Sequence, residues 1–182
     1  MEEHMAKERI ERDFYPTPSW CVKALLDCIE FREGDVIAEP CRGDGRVTNE
    51  LPSGHTIKYA ELSEGIDYLN PSKDMSADVI ITNPPFSLAL EFIATAMTRD
   101  LAQDGTMCFL LRLSMLGSKQ RADFWRSFPW TNLFILTPRP SFVHGKTDNS
   151  EYAWIVWDRG NRIKRPTFWT LKKDEVDVCP SK

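Results

Sequence analysis

The chain has 182 residues, 42% of them hydrophobic, which is enough for one domain with a full core and too apolar for a disordered segment. No apolar stretch approaches the roughly 20 residues needed to cross a bilayer, and the opening MEEHMAKERIERDFYPTP is charged where a secretory signal would be apolar. The net charge of −4 excludes a uniformly basic nucleic-acid binder, yet residues 1–111 carry 10 Lys and Arg against 20 Asp and Glu, while residues 112–173 carry 12 against 4. That asymmetry hints at a polyanionic partner for the second half.

Residues 1–12 are expected to be helical or frayed. YPTP forms an extended turn, because a residue preceding proline is pushed out of the helical region. Ser19 is a candidate helix cap, and Trp20, Val22, Leu25, Leu26 and Ile29 recur at roughly helical spacing, with Gly34 closing the helix. DVIAEP (35–40) is a short apolar strand broken by Pro40 and the loop CRGDG. RVTNELP starts a helix, and HTIKYAEL (55–62) is a second strand. ADVIITN (77–83) is a third strand, followed by an amphipathic helix, SLALEFIATAMTRDL (87–101). GTMCFLLRLS (105–114) is a fourth, with a polar helix around KQRADFWRSF after it. NLFILTP (132–138) and EYAWIVWD (151–158) are two more, the latter antiparallel. Strands alternating with helices predict an α/β sheet with helices on both faces.

Cys21, Cys28, Cys41, Cys108 and Cys179 are scattered, without a C-x-x-C pair, and His4, His55 and His144 are equally dispersed. No metal site is expected from such spacings, and the cysteines read as small buried residues of a reducing compartment, the cytoplasm.

The loop AEPCRGDGR follows the first strand directly. Gly43 and Gly45 allow a tight turn and a close approach of the backbone to a ligand. The loop leaves the carboxyl end of a strand, where α/β sheets bind ligands. Acidic Glu39 stands at the strand tip, and Glu61 ends the second strand 18 residues after Gly43, near the spacing at which a carboxylate grips ribose hydroxyls. There is no phosphate-binding G-x-x-x-x-G-K-[ST], and Glu39, Asp44 and Glu61 would repel a pyrophosphate. A positively charged adenosine ligand fits better, pointing to S-adenosylmethionine. Asp67 would then accept from the adenine amino group, with Tyr68 or Leu69 flanking the ring.

The third strand stops at Asn83-Pro84-Pro85-Phe86, since proline cannot continue a sheet ladder. With DFYPTP (13–18), EPCRGDG and NPPF in this order on the expected strand ends, residues 13–158 resemble the amino-group-specific DNA methyltransferases, particularly small phage-type adenine-N6 enzymes. The resemblance implies a Rossmann-like class I methyltransferase fold: a mostly parallel seven-stranded sheet with helices on both faces and an antiparallel C-terminal strand. It implies that the DFYPTP segment closes over S-adenosylmethionine through Tyr15 and Thr17. The cofactor loop contributes Glu39, Pro40, Cys41, Gly43 and Gly45, joined by Glu61, Asp67, Tyr68 and Asn83. Asn83, Pro84, Pro85 and Phe86 form the catalytic tetrapeptide. Asn83 Oδ1 and the Pro84 carbonyl each accept an N–H of the exocyclic amine, drawing its lone pair out of the ring, and the prolines hold both acceptors in place. Phe86 stacks on a base swung out of the duplex. Many adenine enzymes begin the tetrapeptide with Asp, whereas protein-glutamine and some RNA methyltransferases also use Asn but often carry Tyr in place of Phe86.

The chain reads as a single catalytic domain, 1–182, with no room for a separate target-recognition domain. Phosphate contacts are therefore expected from Arg139 and Lys146 in the loop 139–150 and from Arg159, Arg162, Lys164 and Arg165 in RGNRIKRPTFW, with Phe168 and Trp169 in the core. Specificity is expected to be relaxed or short. DNA is the expected partner; RNA adenine or protein glutamine is the alternative substrate, and a non-catalytic binding module is the rival class. Monomer and dimer both stay open, and a phage-encoded protein would work in the host cytoplasm.

Overall fold

The apolar runs assemble into one seven-stranded sheet in the computed structural model, which describes residues 15–70, 73–142 and 149–173. Its strands are β1 (Val36–Glu39), β2 (Thr56–Tyr59), β3 (Ala77–Thr82), β4 (Leu101–Arg112), β5 (Asn132–Thr137), β6 (Tyr152–Asp158) and β7 (Phe168–Lys172), in the spatial order β2-β1-β3-β4-β6-β5-β7. β6 runs antiparallel to both neighbours, β4 and β5, and every other pair is parallel. The seventh strand, β7, has no apolar run of its own in the sequence; it follows the antiparallel one and pairs with β5 at the sheet edge.

Side chains alternate across a strand, so each buried strand feeds two cores. Ile37, Val79, Ile81, Cys108, Leu110, Trp154 and Val156 face one side, packed under Cys21, Val22 and Leu25 of helix α1 (Ser19–Leu26). Ala38, Ile80, Met107, Phe109, Ile155 and Trp157 face the other, under Ala89, Phe92 and Ile93 of helix α2 (Ala89–Thr95). Trp154 Nε1 donates to the Cys21 carbonyl at 2.9 Å, which satisfies the buried indole and fixes α1 on the sheet. A short third helix, α3 (Ala122–Ser127), follows β4.

Several local expectations change. Ser19 is not the cap of α1: Pro18 holds that position in extended geometry, and the Ser19 hydroxyl donates to Glu50 at 2.6 Å. The helix stops at Leu26, and Gly34 lies beyond it at φ 83° in a turn closed by Asp35 N–H on the Arg32 carbonyl. RVTNELP makes only a single 3-10 turn, Thr48–Glu50, since Pro52 forbids continuation. Phe168 is 58% exposed rather than in the core, because the edge strand β7 buries Leu171 and half-buries Trp169 on its other face.

The strand directions fix where a site can form. The chain leaves β1 toward β2 on one side while β3 lies on the other, so the carboxyl ends of β1 and β3 border a topological switch point. The antiparallel β6 carries the chain the other way: Asp158, its last residue, pairs with Thr106, which is level with Val79 in the first half of β3.

Candidate active site

Both quoted motifs arrive at that switch point. Glu39 closes β1 with only 1% of its surface exposed, and the Thr48 hydroxyl donates to its carboxylate. The backbone then turns through Gly43 (φ 55°) and Gly45 (φ 83°), left-handed conformations that side-chain-bearing residues rarely adopt. Gly43 N–H donates to Glu61 Oε2 at 2.7 Å, while Glu61 Oε1 accepts from Ser63 N–H and its hydroxyl at 3.0 and 2.6 Å. Glu61 therefore stitches the end of β2 to the glycine loop. Oε1 is thereby filled by two donors, and Oε2, with one, keeps acceptor capacity.

Burial drives the Glu39 carboxyl up to about 8, against the opposing pull of the Thr48 hydrogen bonds and of Arg42. The neighbouring Cys41 thiol is pushed up to about 12 by burial, reinforced by Glu61 and Glu39. Glu39 thus stays protonated at neutral pH until something positive enters. A sign follows for stability. The folded protein binds the Glu39 proton over pH 4.5 to 8 and the unfolded chain does not, so this contribution is full below pH 4.5 and lost as pH rises through 8. The unfolding free energy of the ligand-free protein should decline by a few kcal/mol across that window, and Glu39→Gln should flatten the decline. Urea melts at several pH values measure this; a parallel decline in the variant would place its origin elsewhere.

The second motif begins where β3 ends. Asn83 Nδ2 donates to the Tyr15 carbonyl at 2.8 Å and to Thr17 Oγ1 at 3.0 Å. A carbonyl can only accept, so this bond fixes which way the amide points. Asn83 Oδ1 is consequently directed away from the leader segment, and it is buried without a hydrogen-bond partner. An unpartnered buried acceptor is expensive unless a ligand satisfies it. Pro84 is buried, and Pro85 opens a 3-10 turn over Phe86–Leu88. Phe86 is half-buried, with its ring centroid 5.4 Å from that of Tyr15 and 5.8 Å from that of Tyr152.

Between the motifs lies a cleft of about 370 Å³, partly open to solvent, lined by Tyr15, Thr17, Glu39, Cys41, Gly43 and Asn83. Pro16, Arg42, Asp44, Arg46, Val47 and Pro85 complete it. Five expected cofactor contacts do not line the cleft, and one of them, Glu61, stands behind the glycine loop on Gly43 N–H. Pro40 is buried behind the loop, and Gly45 shapes the turn without lining the cleft. Asp67 is exposed and serves a turn, its Oδ1 accepting from Leu69 N–H at 3.0 Å. Tyr68 is 2% exposed and packs against Phe92 at 5.0 Å under Arg99, so it faces the core and not a ligand.

The expected phosphate contacts change most. Arg162 is 2% exposed, and its Nη1 donates to Asp35 Oδ2 at 2.5 Å, in a buried ion pair beneath the start of β1. Arg159 N–H bonds the Gly105 carbonyl, and Lys164 pairs with Glu30. These residues and Arg165 occupy the amino ends of β1 and β4, across the sheet from Asn83. Arg139 is at the same end of the sheet as Asn83, exposed and paired with Glu151 at 2.5 Å. Lys146 lies outside the described residues. Arg112, the last residue of β4, was missed: its guanidinium lies over the Phe86 ring at 4.8 Å. The signal was available, since a lone charge follows the apolar run MCFLL. Among the described residues no group of three or more His, Cys, Asp or Glu forms a metal site.

No protein-family model matches the sequence, and no curated protein does. Among solved structures, the fold is similar to that of a Listeria monocytogenes protein assigned as a class I S-adenosylmethionine-dependent methyltransferase, with TM-score 0.61 and 15% identity over 85% of this chain and 65% of that one. The modification subunit of a protein assigned as a type I restriction enzyme from Vibrio vulnificus gives TM-score 0.62 and 16% identity over 100% of this chain and 54% of that one. The type I restriction enzyme EcoKI M protein gives TM-score 0.59 and 12% identity over 95% and 52%. The chain therefore spans between about half and two-thirds of these proteins' lengths. At such identities the likeness establishes the fold: a Rossmann-like class I methyltransferase sheet.

Proposed function

We propose that this chain is an S-adenosylmethionine-dependent methyltransferase acting on the N6 amino group of adenine in DNA, with relaxed or short sequence specificity. The observation that carries the reading is Asn83 Oδ1, a buried acceptor with no partner, held outward by the two hydrogen bonds on its own amide nitrogen. An exocyclic amine brings the N–H groups this oxygen lacks.

The cleft suits the cofactor. Its buried Glu39 complements positive charge while Asp44 is paired with Arg46 at 2.9 Å, its glycine loop admits close backbone approach, and Glu61 stands behind the loop with acceptor capacity on Oε2 for ribose hydroxyls. S-adenosylmethionine supplies an electrophilic methyl group on a sulfonium centre. Asn83 Oδ1 accepts one N–H of the amine and the Pro84 carbonyl accepts the other, drawing the nitrogen lone pair out of conjugation. The amine is neutral when held, so no residue has to remove a proton beforehand; the proton leaves after transfer. Phe86 offers its ring to an extruded adenine, where stacking is worth about 1–3 kcal/mol per base.

Phosphate contacts belong at the catalytic end, to Arg139 and to Lys119 and Arg121 in the turn before α3. Such contacts position the duplex and carry no sequence information directly, which supports broad or short target specificity. Incubation with labelled cofactor and duplex DNA, single-stranded DNA, structured RNA or a glutamine peptide tests the reading, followed by digestion and identification of the product by mass. N6-methyladenine from DNA is the expected product. Label in RNA or glutamine reassigns the substrate, and calorimetric cofactor binding with no transfer leaves a binding module. Mapping a fully methylated plasmid tests specificity, where one strict site of about six base pairs would contradict a phosphate-dominated interface.

Glu61→Ala should weaken cofactor binding by about 1.5–3 kcal/mol, the scale of a hydrogen bond to a charged group. Glu61→Gln keeps an acceptor for the Gly43 N–H and should recover part of the loss. An unchanged dissociation constant for Glu61→Ala removes this residue from the site.

A further inference from the structure

Arg112 has no part in the chemistry just described, yet it lies against three aromatic rings at the tetrapeptide. Its guanidinium carbon lies 4.8 Å from the Phe86 ring centroid, 5.4 Å from that of Tyr15 and 5.9 Å from that of Tyr152. Its Nε donates to the Tyr152 hydroxyl at 3.0 Å, and its Nη2 donates to the Tyr15 hydroxyl at 3.3 Å. Arg112 and Tyr152 are register partners across β4 and β6, so the guanidinium is anchored to the rigid sheet.

From that anchor it reaches two parts that must be placed together. One is Phe86, the ring proposed above to take the base, over which the guanidinium lies. The second is Tyr15, whose phenol the guanidinium holds while its carbonyl orients the Asn83 amide and its side chain lines the cleft. A planar guanidinium can lie on a ring and donate in its own plane at once; an ammonium offers no such plane. Arginine also keeps its charge at any working pH.

We propose that Arg112 is a positioning residue for the transfer reaction, coupling the leader segment at Tyr15 to the Phe86 ring so that the cofactor cleft and the base slot are set as one unit. This deepens the function proposed above and rests on it for the base slot. Its consequence for the cleft is independent of any acceptor: removing Arg112 loosens Tyr15, and ligand affinity falls without any ligand contact being deleted.

The test uses Arg112→Lys, Arg112→Met, Tyr15→Phe and the Arg112→Met/Tyr15→Phe double variant. Calorimetry with S-adenosylhomocysteine should show about threefold to tenfold weaker binding in Arg112→Met, a smaller loss in Tyr15→Phe, and a double variant no weaker than Arg112→Met alone. With DNA acceptor, Arg112→Met should raise KM and lower kcat by about tenfold or more each, and Arg112→Lys should follow it while keeping the wild-type melting temperature, since the charge stays and the plane is lost. Unchanged S-adenosylhomocysteine affinity in both Arg112 variants overturns the coupling, as do strictly additive losses. A lower melting temperature with wild-type affinity and kinetics makes Arg112 merely structural and likewise overturns it. If the wild-type protein methylates no nucleic acid, the proposed function fails, and the calorimetric cycle still decides the role of Arg112.

Discussion

Asn83→Ala should lower methyl transfer at least 10²- to 10³-fold, about 3–4 kcal/mol of transition-state stabilisation, the effect of removing one preorganised polar group from a reacting centre. Cofactor affinity should change by less than about tenfold, because the alanine deletes the amine acceptor and leaves Glu39, Gly43 and Glu61 in place. Some affinity is lost because the Asn83 amide also holds Tyr15 and Thr17, which line the cleft. Asn83→Asp gives the sharper result. An aspartate keeps an acceptor for the amine, but its second oxygen then faces the Tyr15 carbonyl across 2.8 Å with no proton between them. Deprotonated, it repels the leader; protonated, it restores the bond. Activity in Asn83→Asp should therefore be low at neutral pH and recover relative to wild type on acidification. Rate measurements from pH 5.5 to 8 with calorimetry alongside check both variants. Equal losses of affinity and rate in Asn83→Ala would make the tetrapeptide structural, and full activity of Asn83→Asp at pH 8 would show that the leader bond is dispensable.

The same geometry accounts for the departure noted in the sequence, where the tetrapeptide begins with Asn and not Asp. A neutral amide is the group that can donate to a backbone carbonyl on one side and accept on the other. From the sequence alone the two halves of this arrangement were visible, YPTP and NPPF, but not their contact, since 66 residues separate Thr17 from Asn83.

Strand runs and glycine loop were legible because they are local: apolar runs of strand length, a break at proline, glycines where the backbone turns left-handed. The failures were directional. Tyr68 directly follows the exposed turn residue Asp67, and which way its ring points depends on the packing of α2 through Phe92. The charges of RGNRIKR are real, but composition does not say at which end of a sheet a loop emerges. That end was in fact deducible. Once EYAWIVWD is antiparallel, the chain after Asp158 must emerge at the amino ends of β3 and β4, away from a site built on carboxyl ends. Arg139 follows β5, which runs with β3 and β4, and lands on the correct side.

Arg162→Met should accordingly cost about 3–5 kcal/mol of folding stability, the penalty for leaving one member of a buried ion pair without its partner. Asp35 is 5% exposed and would retain only the Arg32 N–H at 2.7 Å. Burial works to raise the Asp35 pKa, but the hydrogen bond from Arg162 and that from Arg32 outweigh it and hold the group below the usual carboxylate value. The sign of the pH effect follows. In the wild type the pair's contribution is present above the ordinary aspartate pKa and is lost as pH falls through the lowered one. In Arg162→Met the carboxyl is no longer held ionised, so the deficit should be largest at neutral pH and shrink toward pH 4. Asp35→Leu combined with Arg162→Met removes both charges and should recover most of the loss. Affinity for DNA should be unchanged across a salt titration, because the guanidinium lies under the sheet and away from Asn83. Urea melts at pH 7 and pH 4 and a filter-binding salt series measure the two halves. Intact stability with weakened binding at every salt concentration would mean that Arg162 leaves Asp35 to meet a phosphate, and that the basic segment is a nucleic-acid surface after all.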